Sequence, residues 1–105
     1  MAYVIQHIEY QTVHKLRLEE PIIIILEENP TTGYVWEPKK SEAFTLAEDI
    51  YLPQEDDRLA GGSRKHQFVF LPVEVGSFSI QFNLRRPWDN NDVINKVTYN
   101  IDIIE

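Results

Sequence analysis

The chain has 105 residues, of which 43% are hydrophobic and none is cysteine; this suits one core in a single domain over residues 1–105, is too apolar for disorder, and leaves no disulfide, thiolate nucleophile or zinc–thiolate site. The formal net charge is −7, from 17 acidic and 10 basic residues, which argues against nucleic acid and anionic membranes as partners. No stretch is long and apolar enough to cross a bilayer, and the start MAYVIQHIEYQ lacks the basic region and long apolar run of a signal peptide, so the expected location is cytoplasmic.

Strand patterns dominate. Tyr3 to Ile8 is rich in β-formers, and Val13 to Leu18 alternates roughly at period two. Pro21 opens the run IIIIL, Ile22 to Leu26, which reads as a strand buried on both faces. A short loop, NPTTG at residues 29–33, leads into a strand at Tyr34-Val35-Trp36, which Pro38 is expected to end, with KKSE turning the chain. Ala43 to Leu52 is a weaker strand, with a one-turn helix as the alternative. From Pro53 to Ser63 the chain is polar, acidic and glycine-bearing, an exposed loop.

His66 to Leu71 is a strand closed by Pro72, and PVEVGS is a corner. Ser77 to Leu84 alternates most clearly, with Phe78, Ile80, Phe82 and Leu84 on one face and Ser77, Ser79, Gln81 and Asn83 on the other. Arg85-Arg86-Pro87 stops that strand, WDNND makes a loop, and the last strand runs from about Val93 to Ile104 with Val97, Tyr99, Ile101 and Ile103 on one face. The pattern predicts an all-β chain, an immunoglobulin-like β-sandwich of about seven to eight antiparallel strands. Alternating strand direction then places the NPTTG loop, the Pro53–Ser63 loop and the RPWDNN loop at one end, and ordinary turns at the other.

The NPTTG loop is uncharged and pre-shaped. Pro30 fixes φ and donates no hydrogen bond, Gly33 can take positive φ, and Thr31 and Thr32 are short and stiff. Taken alone, the motif is more simply a structural turn. Trp36 fits the tryptophan buried between the sheets of such a sandwich. Trp88 either folds down onto the sandwich edge or stands exposed as a binding anchor. Asp89, Asn91 and Asp92 lack the spacing and bidentate glutamate of a calcium loop. His7, His14 and His66 lack metal-ligand spacing and read as structural or surface residues. No metal or cofactor is expected. No nucleophile elbow or phosphate loop occurs, and Asp56-Asp57 reads as a solvated pair, so the chain is not expected to be an enzyme.

Three motifs in order, NPTTGYVW at 29–36, Leu59-Ala60-Gly61-Gly62, and Arg86-Pro87-Trp88, resemble the chagasin-like inhibitors of papain-type cysteine peptidases over the whole chain. The middle motif is usually GxGG in that family, so Leu59 stands where a glycine is usual. The resemblance implies a reversible, tight-binding inhibitor whose partners are papain-like cysteine peptidases; the free protein is expected to be a monomer. It implies that Asn29, Pro30, Thr31, Thr32, Gly33 and Tyr34 enter the target's cleft, with Thr31 and Thr32 near the catalytic residues. Gly61 and Gly62 would contact one wall, and Arg86, Pro87 and Trp88 would flank the other side. The competing expectation is an immunoglobulin-like recognition module with a non-protease partner.

Overall fold

The computed structural model describes residues 3–5, 13–53, 64–89 and 91–105. Among these residues the fold is all strand: β1 Tyr3–Ile5, β2 Val13–Arg17, β3 Ile22–Glu28, β4 Val35–Lys40, β5 Phe44–Tyr51, β6 Arg64–Pro72, β7 Gly76–Arg85 and β8 Val93–Ile104. They form two four-stranded sheets, ordered β1-β3-β6-β5 and β2-β8-β7-β4. The sandwich is as expected, and β8 has the expected bounds.

The strands are not antiparallel throughout. β1 pairs with β3 and β2 pairs with β8 in parallel, while β3–β6, β5–β6, β4–β7 and β7–β8 are antiparallel. The reason lies in sheet order: β1 and β2 each occupy a free edge of a different sheet, so neither is a hairpin partner of its neighbour there. From β3 onward the alternation holds.

Period two sorts the side chains. Ile22, Ile24 and Leu26 of β3, Phe68 and Phe70 of β6, Ile80 and Phe82 of β7, and Val97, Tyr99, Ile101 and Ile103 of β8 are buried between the sheets. Phe82 is the aromatic centre, with ring centroids 4.9 Å from Phe68 and 5.9 Å from Tyr99. Trp36 is buried as expected, and its indole N–H donates to the Glu27 carbonyl at 2.9 Å. His14 is a core residue, its Nδ1 2.8 Å from the Tyr3 hydroxyl, so β1 and β2 are tied across the two sheets.

Three local expectations change, and one of two alternatives is settled. β3 is not buried on both faces, because Ile23 and Ile25 point outward and stay half-buried. Pro38 does not end β4, which runs to Lys40; β4 is an edge strand, where a missing N–H can face solvent. Of the two readings of Ala43 to Leu52 the strand is observed, over Phe44–Tyr51, with a register shift between Leu46 and Glu48. Asn83, expected on the open face of β7, is buried and accepts a hydrogen bond from Gln81 at 3.2 Å.

Candidate functional site

The β3–β4 connection is a turn held by its own side chains. The Thr32 N–H donates to the Asn29 carbonyl at 3.2 Å, and Pro30 takes the second position, where its fixed φ belongs. The Asn29 side-chain oxygen accepts the Thr31 N–H at 3.0 Å and the Thr31 hydroxyl at 2.7 Å. The Thr32 hydroxyl donates to the Asn29 carbonyl at 2.9 Å and accepts the Tyr34 N–H at 3.3 Å. Asn29, Pro30, Thr31 and Thr32 are all exposed, so the turn is a shaped projection.

The β7–β8 connection repeats the device. The Asp89 N–H donates to the Arg86 carbonyl at 3.1 Å, placing Pro87 second and Trp88 third in the turn. The Asp89 side chain accepts the Asn91 N–H at 3.0 Å. The Arg85 guanidinium donates to the Arg86 and Pro87 carbonyls at 3.2 and 3.4 Å and is ion-paired to Glu37. The Arg85–Glu37 hydrogen bond holds the Glu37 carboxyl below its ordinary range. Trp88 is 74% exposed, so of its two readings the exposed one is observed.

The two turns lean on one another. Gly33 has φ 79°, and a Cβ there would sit 3.0 Å from Cη2 of Trp88. The positive φ therefore favours glycine, and a Cβ there would press on the tryptophan ring. Arg86 Nε donates to the Thr32 carbonyl at 3.3 Å, and its guanidinium lies 4.5 Å over the Tyr34 ring. The Tyr34 hydroxyl donates to Asp92 at 2.8 Å, which raises the phenol's pKa. Asn29, Pro30, Thr31, Thr32, Gly33 and Tyr34 thus share one rim with Arg86, Pro87 and Trp88. Gly61 and Gly62 lie outside the described residues, but the strand ends that flank them do not.

Those ends meet a buried carboxylate. Glu28, the residue before Asn29, accepts the Trp36 N–H at 2.9 Å, the Tyr51 hydroxyl at 3.0 Å and an Arg64 N–H at 3.5 Å, and its other contact is Nδ1 of His66. Nε2 of His66 meets Asp49. The imidazole is stacked between Tyr51 and Phe68, with centroids at 4.2 and 4.1 Å, and the Arg64 guanidinium covers Tyr51 at 3.8 Å. Burial alone would push Glu28 up, but its bonds from His66, Trp36 and Tyr51 and the imidazolium charge hold it below the usual carboxylate range. Burial alone would pull His66 down, but the two carboxylates raise it above its ordinary value. Burial and the bond to Glu28 push the Tyr51 phenol up to about 12.

The sequence reading missed Glu28 and took His66 as a structural or surface residue without a partner in view; it is structural and buried. A signal was present. Counting by two from Ile22 through Ile24 and Leu26 puts Glu28 on the core face, and counting back from Phe70 and Phe68 puts His66 there too. Two opposite charges at the same end of neighbouring inner faces predict a buried pair. Among the described residues no cluster of three or more metal-ligating side chains occurs, and no helix is long and apolar enough to cross a membrane.

Comparison with known proteins gives a consistent picture. The pattern of the family described as Chagasin family peptidase inhibitor I42 matches residues 15–103. Amoebiasin-2 of Entamoeba histolytica is 26% identical over 98 residues, covering 90% of this chain and 79% of the relative. The crystal structure of the cysteine protease inhibitor EhICP2 from Entamoeba histolytica superposes with a TM-score of 0.78 at 22% identity, covering 97% of this chain and 95% of that one. PbICP-C, solved in complex with falcipain-2, superposes with a TM-score of 0.64 at 20% identity over 98% of both chains. The structural likenesses establish a shared sandwich, and with the family pattern running over most of its length the chain belongs to the chagasin family of peptidase inhibitors.

Proposed function

We propose that this protein inhibits papain-like cysteine peptidases reversibly, by seating the Asn29–Tyr34 turn in the target's active-site cleft with Trp88 packed beside it. The observation that carries the reading is the joined rim: an uncharged turn and a 74% exposed tryptophan locked together through Gly33 and Arg86. Family membership supports it, since one structural neighbour is named as a cysteine protease inhibitor and another was solved in complex with falcipain-2.

The turn's chemistry suits a plug rather than a substrate. A peptide about to be cleaved lies extended, with its carbonyl open to attack. Here the Asn29 carbonyl accepts two hydrogen bonds from Thr32, and the Thr32 carbonyl accepts one from Arg86. The turn is therefore closed on itself and does not lie extended before a nucleophile. Because the projections are already ordered, docking loses little conformational freedom, and an interface of ordinary protease–inhibitor size, roughly 1,600 Å², can be tight. Gly61 and Gly62 are assigned to a third contact by the resemblance, and Glu28 brings the roots of their loop to the same end.

Titration of papain activity with the purified protein tests the reading. The expected result is stoichiometric, reversible loss of activity with the inhibitor recovered uncut by mass spectrometry. Full activity at a large excess of inhibitor, against a panel of papain-like enzymes, would point to the recognition-module alternative.

A further inference from the structure

Beneath the rim, one carboxylate reaches four strand ends. Glu28 ends β3, accepts the N–H of Trp36 in β4, and takes the Tyr51 hydroxyl from β5 and Arg64 and His66 from β6. β3 and β4 are the two stems of the Asn29–Tyr34 turn. β5 and β6 are the stems of the neighbouring loop. The Glu28 side chain has no exposure and that of His66 is 5% exposed, so neither charge is relieved by water. Among the described residues, no other side chain ties the stems of both loops in this way.

The bonding pattern fixes the protonation state. Both ring nitrogens of His66 face carboxylates, Glu28 at Nδ1 and Asp49 at Nε2. Ionised carboxylates are acceptors only, so both nitrogens must donate, and that requires the imidazolium. A neutral ring can donate to one carboxylate, and its lone pair would then face the other. Glu28 is the partner that keeps the remaining proton, because its buried charge has no solvent to turn to. The Asp49 side chain is 46% exposed and can swing into water. Loss of the proton thus frees the Asp49 side chain of β5 from His66 of β6, while the backbone ladder between the two strands stays in place.

We propose that Glu28 and His66 are positioning residues for inhibition: the imidazolium bridge between Glu28 and Asp49 fixes the side chains at the ends of β3, β5 and β6 beneath the Asn29–Tyr34 turn, and affinity for the peptidase weakens when that bridge loses its proton. The inference rests on the inhibitory function proposed above. Other charged groups near the bridge act in known directions. Arg64 adds positive charge beside Glu28 and over Tyr51, and Tyr51 stays neutral through the relevant range. Glu37 and Arg85 line the same groove of about 320 Å³ beside His66, but they are paired with each other. That groove gives solvent a path to the imidazole.

The test compares wild type with Asp49→Asn, whose amide can donate to a neutral ring and so removes the need for the second proton. Inhibition constants for both are measured against one active-site-titrated papain-like peptidase from about pH 6 to pH 9, the range that brackets a raised histidine. Taking the ratio of the two cancels the enzyme's own pH dependence. His66 is titrated in the same samples by NMR, together with the backbone amides of Thr31 and Gly33. The expected result is a ratio that changes at least about five-fold, the low end of typical coupling between sites, with its midpoint at the His66 titration and with both amides moving in step. A constant ratio, or amides that ignore the His66 titration, overturns the proposal. If neither protein inhibits at any pH, the functional reading fails instead, while the amide titration still decides whether His66 governs the rim.

Discussion

The two ends of the sandwich close their loops by different means. At the end away from the rim the ties from a connection to another element are backbone to backbone: Leu18 N–H to Ile104 carbonyl at 2.7 Å, Glu19 N–H to Pro72 carbonyl at 3.1 Å, and Val73 N–H to Ala43 carbonyl at 2.7 Å; side chains act within a connection, Glu20 on the Arg17 N–H and Ser41 on the Ala43 N–H. Any residue that can follow the path supplies those bonds. At the rim the ties run through side chains: Asn29 to Thr31, Thr32 to Asn29, Arg86 to Thr32, and Tyr34 to Asp92. The difference teaches where sequence identity matters. One end leans on the path of the chain, and the other leans more on particular residues, whose polar atoms join its two turns.

Substitutions can break or sharpen that contrast. The largest effect belongs to Phe44→Ala, at the far end, where a buried ring packs against Phe70 and Phe78. It should cost about 3–5 kcal/mol of stability in urea denaturation and leave the inhibition constant unchanged while the protein remains folded. A parallel loss of inhibition would show that the two ends are not separable. Trp88→Ala should do the reverse, costing on the order of 2–4 kcal/mol of binding with the melting temperature nearly unmoved. An unchanged inhibition constant would remove Trp88 from the contact.

Gly33→Ala comes next. The new Cβ meets the Trp88 ring and the residue must hold φ 79°; roughly 1–2 kcal/mol of local strain is expected, read as weakened inhibition and altered Trp88 fluorescence. The smallest effect is a slope. His66 is raised above 6.5, so its stabilising contribution is complete below that value and is lost as pH rises through its folded pKa. Glu28 is lowered below 4.5, so its contribution is complete above that value and is lost as pH falls through its folded pKa. The stability gap between wild type and His66→Gln, measured by denaturation across pH, should therefore close on the alkaline side. A gap that does not change with pH would reduce the bridge to ordinary packing.

Much of this was legible in the chain because strands and tight turns are governed by local rules. The alternation from Ser77 to Leu84 marked Phe78, Ile80, Phe82 and Leu84 as the inner face, and the structure buries or half-buries each of them. Asn29-Pro30 and Arg86-Pro87 have the residue types that open β-turns, and both do so. What escaped depended on strands distant in sequence. Glu28 and His66 are 38 residues apart, and their partnership exists only once β3 and β6 are paired. The parallel placement of β1 and β2 likewise follows from which sheet edges remain free. Pro38 misled because a proline ends an interior strand but not an edge one. The contact between Gly33 and Trp88 needed both turns folded before it could be seen.

The β4 and β5 strands form the sandwich edges bordering the groove below the rim, and each carries an interruption: Pro38 in one and the register shift between Leu46 and Glu48 in the other. A stray polypeptide that tried to extend either sheet would meet a proline on one edge strand and an irregular strand on the other. Crowded copies are thereby discouraged from zipping together along this flank, which keeps each molecule's tip available for a single end-on encounter.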